Sequence, residues 1–131
     1  KKFSDHFKGE TKGKHAAIWG LSYKPGTDDM REAPSLTLID QLLEAGCTVK
    51  AYDPVSMEEA RRRLGDRIEY AKDMYDALVA ADVLFLVTEW QEFRMPDWKR
   101  VQSLMRKPLI VDGRGIFNKT ELKEFTYLRI G

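Results

Sequence analysis

Val83-Leu84-Phe85-Leu86-Val87 is apolar at every position, and no other feature of the sequence narrows the fold as much. A strand with one wet face alternates apolar and polar residues. A strand with no polar position needs cover on both faces, which parallel sheets receive from the helices that cross between their strands. His15-Ala16-Ala17-Ile18-Trp19, closed by Gly20, has the same character, as does Pro108-Leu109-Ile110-Val111, closed by Asp112-Gly113. Thr48–Tyr52 reads as a further strand, ending at Asp53-Pro54. Arg67–Tyr70 is a weaker one, and Tyr127–Ile130 closes the chain as an edge strand.

Between these runs lie amphipathic segments. Pro34 opens a helix at a first-turn position where its missing N–H does no harm. Leu36, Leu38, Ile39, Leu42 and Leu43 give that helix a wide apolar face, and Gly46 ends it. Ser56 with Glu59 predicts a capping box for a helix running to Leu64. Asp73 is expected to cap a short helix carrying Met74, Ala77 and Leu78. Residues 97–105 read as helical, and Asn118 with Glu121 predicts a last short helix. Strand and helix thus alternate throughout. That implies an α/β fold: an open, doubly wound, Rossmann-like parallel sheet of about six strands, helices on both faces, three layers. The expected strand order is 3-2-1-4-5-6, with ligands bound outside the carboxyl ends of the strands where the order reverses. Attention therefore falls on the loops 20–33, 88–96 and 112–117.

Size and charge bound the function. The chain has 131 residues, which suits a single core. Lys and Arg number 22 against 21 Asp and Glu, a formal net charge of +1. A dedicated nucleic-acid binder would carry a basic excess, so none is expected, although one small phosphate site is compatible. A single cysteine, Cys47, cannot form an internal disulfide, which suits a reducing compartment and a cytoplasmic location. No apolar run approaches the roughly 20 residues of a membrane span. The chain opens without Met, and residues 1–14 are polar with five Lys. They read as a linker from a preceding domain, with the compact domain over 15–131 and the whole read as an excised or processed piece.

The loop after the first strand, Gly20 to Ala33, is the most informative segment. A dinucleotide fingerprint would read G-x-G-x-x-G there. This chain has Gly20, Ser22 and Pro25, and the helix starts about ten residues later than the fingerprint places it. Ordinary NAD binding by this loop is therefore not expected. In place of glycines stand Lys24, a mobile point charge for phosphate, and Arg31, a planar fork for a diphosphate or carboxylate. Asp28, Asp29 and Glu32 can hold those cations, and Tyr23 offers a flat face for a ring. A solvated turn held by surface ion pairs accounts for the same residues about as well.

The run Gly20-Leu21-Ser22-Tyr23-Lys24-Pro25-Gly26-Thr27-Asp28-Asp29-Met30-Arg31-Glu32-Ala33-Pro34-Ser35 closely resembles the start of the C-terminal domain of the UDP-glucose/GDP-mannose dehydrogenase family. Ala51-Tyr52-Asp53-Pro54, Thr88-Glu89-Trp90-Gln91-Glu92-Phe93 and Val111-Asp112-Gly113-Arg114 agree in the same order. The Thr-Glu-Trp piece is similar to the UDP-glucose 6-dehydrogenase branch. The resemblance spans roughly residues 13–131 and implies a UDP-sugar-binding domain. It implies an enzyme with an N-terminal NAD-binding domain and a central dimer domain, oxidising UDP-glucose to UDP-glucuronate with two NAD. It further implies that Tyr23, Lys24 and Arg114 meet the UDP-sugar, and that Arg31 reaches an NAD held mainly by the N-terminal domain. The family's nucleophilic cysteine precedes this region, so no catalytic residue is assigned here and this chain alone is expected to be inactive. Ser22 departs from a commoner Ala and Gly26 from a commoner Asn or Asp, both tolerable changes. A stand-alone nucleotide-binding or regulatory module and a non-catalytic interaction domain are the rival readings.

Other chemistry-bearing residues have plainer roles. Cys47 is expected to be a buried structural thiol. Asp53 ends the second strand where dinucleotide-binding folds place a ribose acid, but with the fingerprint broken a turn role is expected. Arg61-Arg62-Arg63 reads as a solvated helix face balanced by Glu58, Glu59 and Asp66. Trp90, Phe93 and Trp98 are expected to pack a loop and helix onto the sheet, with an apolar patch toward missing domains as the lesser reading. His6 and His15 lack metal-ligand spacing, so no metal site is expected.

Overall fold

A computed structural model describes residues 12–22, 26, 29, 30, 33–117 and 119–129. Among the described residues six parallel strands form one sheet: β1 (His15–Trp19), β2 (Thr48–Tyr52), β3 (Glu69–Tyr70), β4 (Val83–Leu86), β5 (Leu109–Asp112) and β6 (Thr126–Arg129). Their order is β3-β2-β1-β4-β5-β6, the one expected. The chain works outward from β1 to β3, then returns to β1's other side and works outward again. The reversal lies between β1 and β4, where Ala16 pairs with Val83 and Trp19 with Leu86.

Alternation along each strand separates two cores. Ala16, Ile18, Val83, Phe85 and Val111 face one side, where Ile39 and Leu42 of helix α1 (Pro34–Glu44) and Ala60 and Leu64 of α2 (Met57–Leu64) cover them. Ala17, Trp19, Leu84, Leu86 and Ile110 face the other, under α3 (Trp98–Leu104) and short 3-10 turns at Asp76–Leu78 and Lys119–Leu122. All four residues of β4 are buried, which is why that run carries no polar position. Burial of each such side chain stabilises the fold by roughly 1.5–3 kcal/mol.

Local signals act much as expected at α1 and differ elsewhere. Pro34 occupies the first turn of α1, and Gly46, with φ at +89°, takes the left-handed turn beyond its end. Asp97 caps α3 by accepting from the Arg100 N–H at 3.3 Å. The Ser56–Glu59 capping box does not form. The Ser56 N–H, which Glu59 would have to satisfy, donates instead to Asp53 Oδ1 at 2.8 Å. The Glu59 carboxylate is taken by Arg62 and Arg63 at 2.9 and 2.8 Å. Asp73 does accept from the Asp76 N–H at 2.7 Å, but the helix it starts is a single 3-10 turn. The chain must reverse immediately afterwards, and Ala80 does so with φ at +60°. The last helix is likewise a 3-10 turn, and Asn118 lies outside the described residues. At the start, Gly13 donates to the Gly46 carbonyl and Lys14 accepts from Thr48, both at 2.9 Å.

Candidate functional site at the carboxyl ends of the strands

Two buried aspartates at strand ends organise the loops. Asp53 follows β2 and is 1% exposed. Its Oδ1 accepts from the Val55 and Ser56 N–H groups, each at 2.8 Å. Its Oδ2 accepts from Leu21 N–H at 2.8 Å, Ser22 N–H at 3.3 Å and the Trp90 indole N–H at 3.0 Å. One carboxylate thus ties together the loops after β1, β2 and β4. The expected turn role is present and is only half of what the residue does.

The β1 and β4 loops are also joined directly. The Thr88 hydroxyl donates to the Ser22 carbonyl at 2.7 Å, and Val87 N–H to Trp19 at 2.9 Å. Gly20 is required at this crossing. Its φ is +99°, and a Cβ there would lie 2.5 Å from the Thr88 backbone nitrogen.

Asp112 does comparable work at the end of β5. Oδ1 accepts from Arg114 and Gly115 N–H at 2.9 and 2.7 Å. Oδ2 accepts from Phe117 N–H at 3.0 Å and from the Tyr127 hydroxyl at 2.7 Å. Burial, then the hydrogen bond to Asp112 and the charge of Asp112, push the Tyr127 phenol up to about 12. The result is a fixed turn with Arg114 at its tip.

The Arg114 side chain reaches Glu89, which follows β4. Nε donates to Oε1 at 2.9 Å and Nη2 to Oε2 at 3.3 Å. Burial pushes the Glu89 carboxyl up. The hydrogen bond and charge of Arg114, with a backbone hydrogen bond and Arg94, outweigh that and hold it below the ordinary value. Beside the pair is a hollow of about 260 Å³ lined by Pro34, Leu38, Phe85, Val87, Val111 and Arg114. One wall is the first turn of α1, which carries no acidic residue and no side-chain cap. Pro34 brings no N–H to that turn, and the Leu36 N–H donates to the Ala33 carbonyl at 3.1 Å, so Arg114 is the cationic group of this hollow among the described residues. A smaller hollow, about 190 Å³, lies at the opposite edge of the sheet beside His15, Thr48, Lys50 and Glu69. Lys50 there is paired with Asp76 at 3.2 Å.

Among the residues singled out from the sequence, Arg114 lies in this site. Tyr23, Lys24 and Arg31 fall outside the described residues. Cys47 is buried; burial, with the charge of Asp82, raises its thiol pKa and keeps it protonated. Trp90, Phe93 and Trp98 pack as expected, but in separate places. Phe93 stacks on Trp19 at 5.0 Å, and Trp98 meets Phe117 and Phe125 edge-on. Arg62 and Arg63 pair with Glu58 and Glu59 on α2, and Arg61 lies over the Tyr70 ring. Sequence reasoning missed Glu89 as a partner of Arg114, since 25 residues separate them. It also missed how far Asp53 and Asp112 reach. An Asp ending a buried strand before Pro or Gly was the available signal. Among the described residues no group of three or more His, Cys, Asp or Glu could hold a metal, and no helix is long and apolar enough to cross a membrane.

Comparison with known proteins assigns the family. Residues 17–119 match the family model of the UDP-glucose/GDP-mannose dehydrogenase family, UDP binding domain. The chain belongs to that family. A UDP-glucose 6-dehydrogenase of Pseudomonas aeruginosa is 43% identical over 95% of this chain and 29% of its own length. One of Rhizobium meliloti is 42% identical over 94% of this chain and 28% of its own length. The solved UDP-glucose dehydrogenase of Pyrobaculum islandicum superposes with a TM-score of 0.79 at 30% identity, over 99% of this chain and 28% of that one. The chain therefore spans little more than a quarter of the relatives it matches. The resemblance drawn from the loop motifs, including its lean toward the UDP-glucose branch, holds.

The residues around β1 and β2 do not fit a dinucleotide bound by this domain itself. A ribose would need a free carboxylate at Asp53, and both of its oxygens are engaged internally. A pyrophosphate would need bare backbone where Gly20 abuts Thr88.

Proposed function

We propose that this chain is the UDP-sugar-binding part of an NAD-dependent UDP-glucose 6-dehydrogenase, which converts UDP-glucose to UDP-glucuronate. The observation that carries this reading is the placement of Arg114. A fixed turn holds it at the rim of a hollow on the carboxyl side of the sheet. A nucleoside diphosphate brings two phosphates, and cationic side chains there replace the glycine amides of an ordinary dinucleotide loop. In this reading Lys24 and Arg114 contact the diphosphate, Tyr23 lies beside the nucleotide sugar, and Arg31 reaches an NAD held on another domain. Residues 1–14 join this domain to preceding ones, the whole enzyme works in the cytoplasm, and it assembles at least as a dimer.

The chain alone should not oxidise UDP-glucose. Its one cysteine is buried, protonated and remote in the fold from the strand ends that carry Arg114, on the turn leading into β2. Calorimetric titration of UDP into the intact gene product carrying this domain tests the site. Arg114→Ala and Lys24→Ala should each weaken binding about tenfold or more. Unchanged affinity in both would remove the assigned roles. An upstream reading frame containing a cysteine nucleophile is the matching genetic observation.

A further inference from the structure

Arg114 offers five N–H donors on a planar group, and which of them face a ligand depends on what holds the others. Glu89 occupies the Nε–Nη2 edge with both of its oxygens. Both partners rise from fixed backbone. The Arg114 N–H is bonded to Asp112 at 2.9 Å. Glu89 lies between Thr88, whose hydroxyl is bonded to Ser22, and Trp90, whose indole is bonded to Asp53. Two loops 25 residues apart thus converge to hold one guanidinium.

From this geometry we infer that Glu89 is a positioning residue for nucleoside diphosphate binding: it grips one edge of Arg114 and leaves the Nη1–Nη2 edge as a fork for two phosphate oxygens. The inference deepens the function proposed above and rests on it. Among the described residues Nη1 has no partner, and two parallel N–H groups match two oxygens of a phosphate.

The carboxylate acts in two opposing ways. It orders a side chain that otherwise samples many rotamers, which favours binding. It also places a negative charge near an anionic ligand, which opposes binding. The side chains of Arg114 and Glu89 are 34% and 26% exposed, so water and salt screen the repulsion. Ordering of the side chain is not screened, and it decides the sign: removing Glu89 should weaken binding.

The experiment is a double-mutant cycle on the intact gene product, with UDP as titrant and calorimetry as readout. Glu89→Ala should raise the Kd for UDP roughly three- to tenfold, and Glu89→Gln, which keeps one acceptor oxygen, by less. In an Arg114→Ala background, Glu89→Ala should change nothing further. With UDP-glucose as substrate, its KM should rise while kcat stays within about twofold. The thermal midpoint of each variant separates positioning from folding, and Glu89→Gln serves if Glu89→Ala does not fold. Equal losses with and without Arg114, or binding by Glu89→Ala as tight as the parent, overturn the inference while leaving the site intact. No effect of Arg114→Ala overturns the site reading, and this inference falls with it.

Discussion

Asp53 and Asp112 are two buried carboxylates at two strand ends, and they differ in how many segments each one joins. Asp53 gathers donors from three loops, those after β1, β2 and β4. It sits beside the reversal between β1 and β4, where the two halves of the sheet must be locked together. Asp112 gathers three backbone donors from its own turn and one hydroxyl from the edge strand β6. The first carboxylate assembles the floor of the carboxyl edge. The second shapes one turn on that floor and thereby aims Arg114. Similar chemistry serves the whole fold in one place and a single side chain in the other.

The largest expected effect follows from Asp53. Asp53→Ala strands several donors, among them the buried Leu21, Ser22 and Ser56 N–H groups. Leaving such groups unmet should cost about 3–5 kcal/mol, a large part of a typical domain's stability. A urea titration should show the midpoint falling sharply, and a change of under about 1 kcal/mol would mean water replaces the carboxylate, against its role as a lock.

Asp112→Ala should be milder in stability and sharper in function. Of its donors, only the Phe117 N–H is fully buried, and the others are part-buried. A loss of about 2 kcal/mol is expected. The UDP affinity of the intact gene product should fall as for Arg114→Ala, because the turn no longer presents the guanidinium. If Asp112→Ala destabilises more than Asp53→Ala, the division of labour between the two carboxylates is reversed.

Tyr127 sharpens the comparison through pH. Its phenol ionises near 10 when unfolded and at about 12 in the fold, held neutral by burial and by its bond to Asp112. Below pH about 10 both states keep the proton and the bond's contribution is complete. As pH rises from about 10 to about 12, the unfolded chain loses its proton first, so stability declines across that window. Tyr127→Phe should lower stability by about 1 kcal/mol at neutral pH and show a shallower decline than the parent above pH about 10. Parallel alkaline profiles for the two proteins would break the link between Tyr127 and Asp112.

Much of this was legible in the sequence, for physical reasons that vary by element. Strands β1, β4 and β5 announce themselves because burial on both faces favours apolar runs and admits a polar residue only where it is fully bonded, as Asp112 is, and α1 because Pro34 and Gly46 bracket an apolar stripe. The alternation and right-handed crossovers make a parallel sheet legible, whereas the order β3-β2-β1-β4-β5-β6 is one of two common doubly wound orders that share that alternation. Signals that depend on competition between partners were not legible. Ser56 and Glu59 match a capping box, but Asp53 and the neighbouring arginines reach their groups first. Arg114 stands out by resemblance, whereas Glu89 acquires its meaning only once β4 and β5 lie side by side.

The smallest expected effect contrasts two ion pairs of the same chemistry. On α2, Glu59 meets Arg62 and Arg63 one turn away, with the Glu59 and Arg63 side chains 22% and 36% exposed, much as in the Glu89–Arg114 pair. Water and salt screen both pairs alike, and the long side chains on the short helix lose rotamer freedom to meet. Glu89 meets Arg114 across two anchored loops, so geometry rather than sequence proximity holds that pair. Glu59→Ala should therefore leave the urea midpoint and UDP affinity unchanged within error, where Glu89→Ala leaves stability similar but weakens UDP. A loss of UDP affinity in Glu59→Ala would show that charge on the domain, and not the aim of one guanidinium, governs binding at the carboxyl edge.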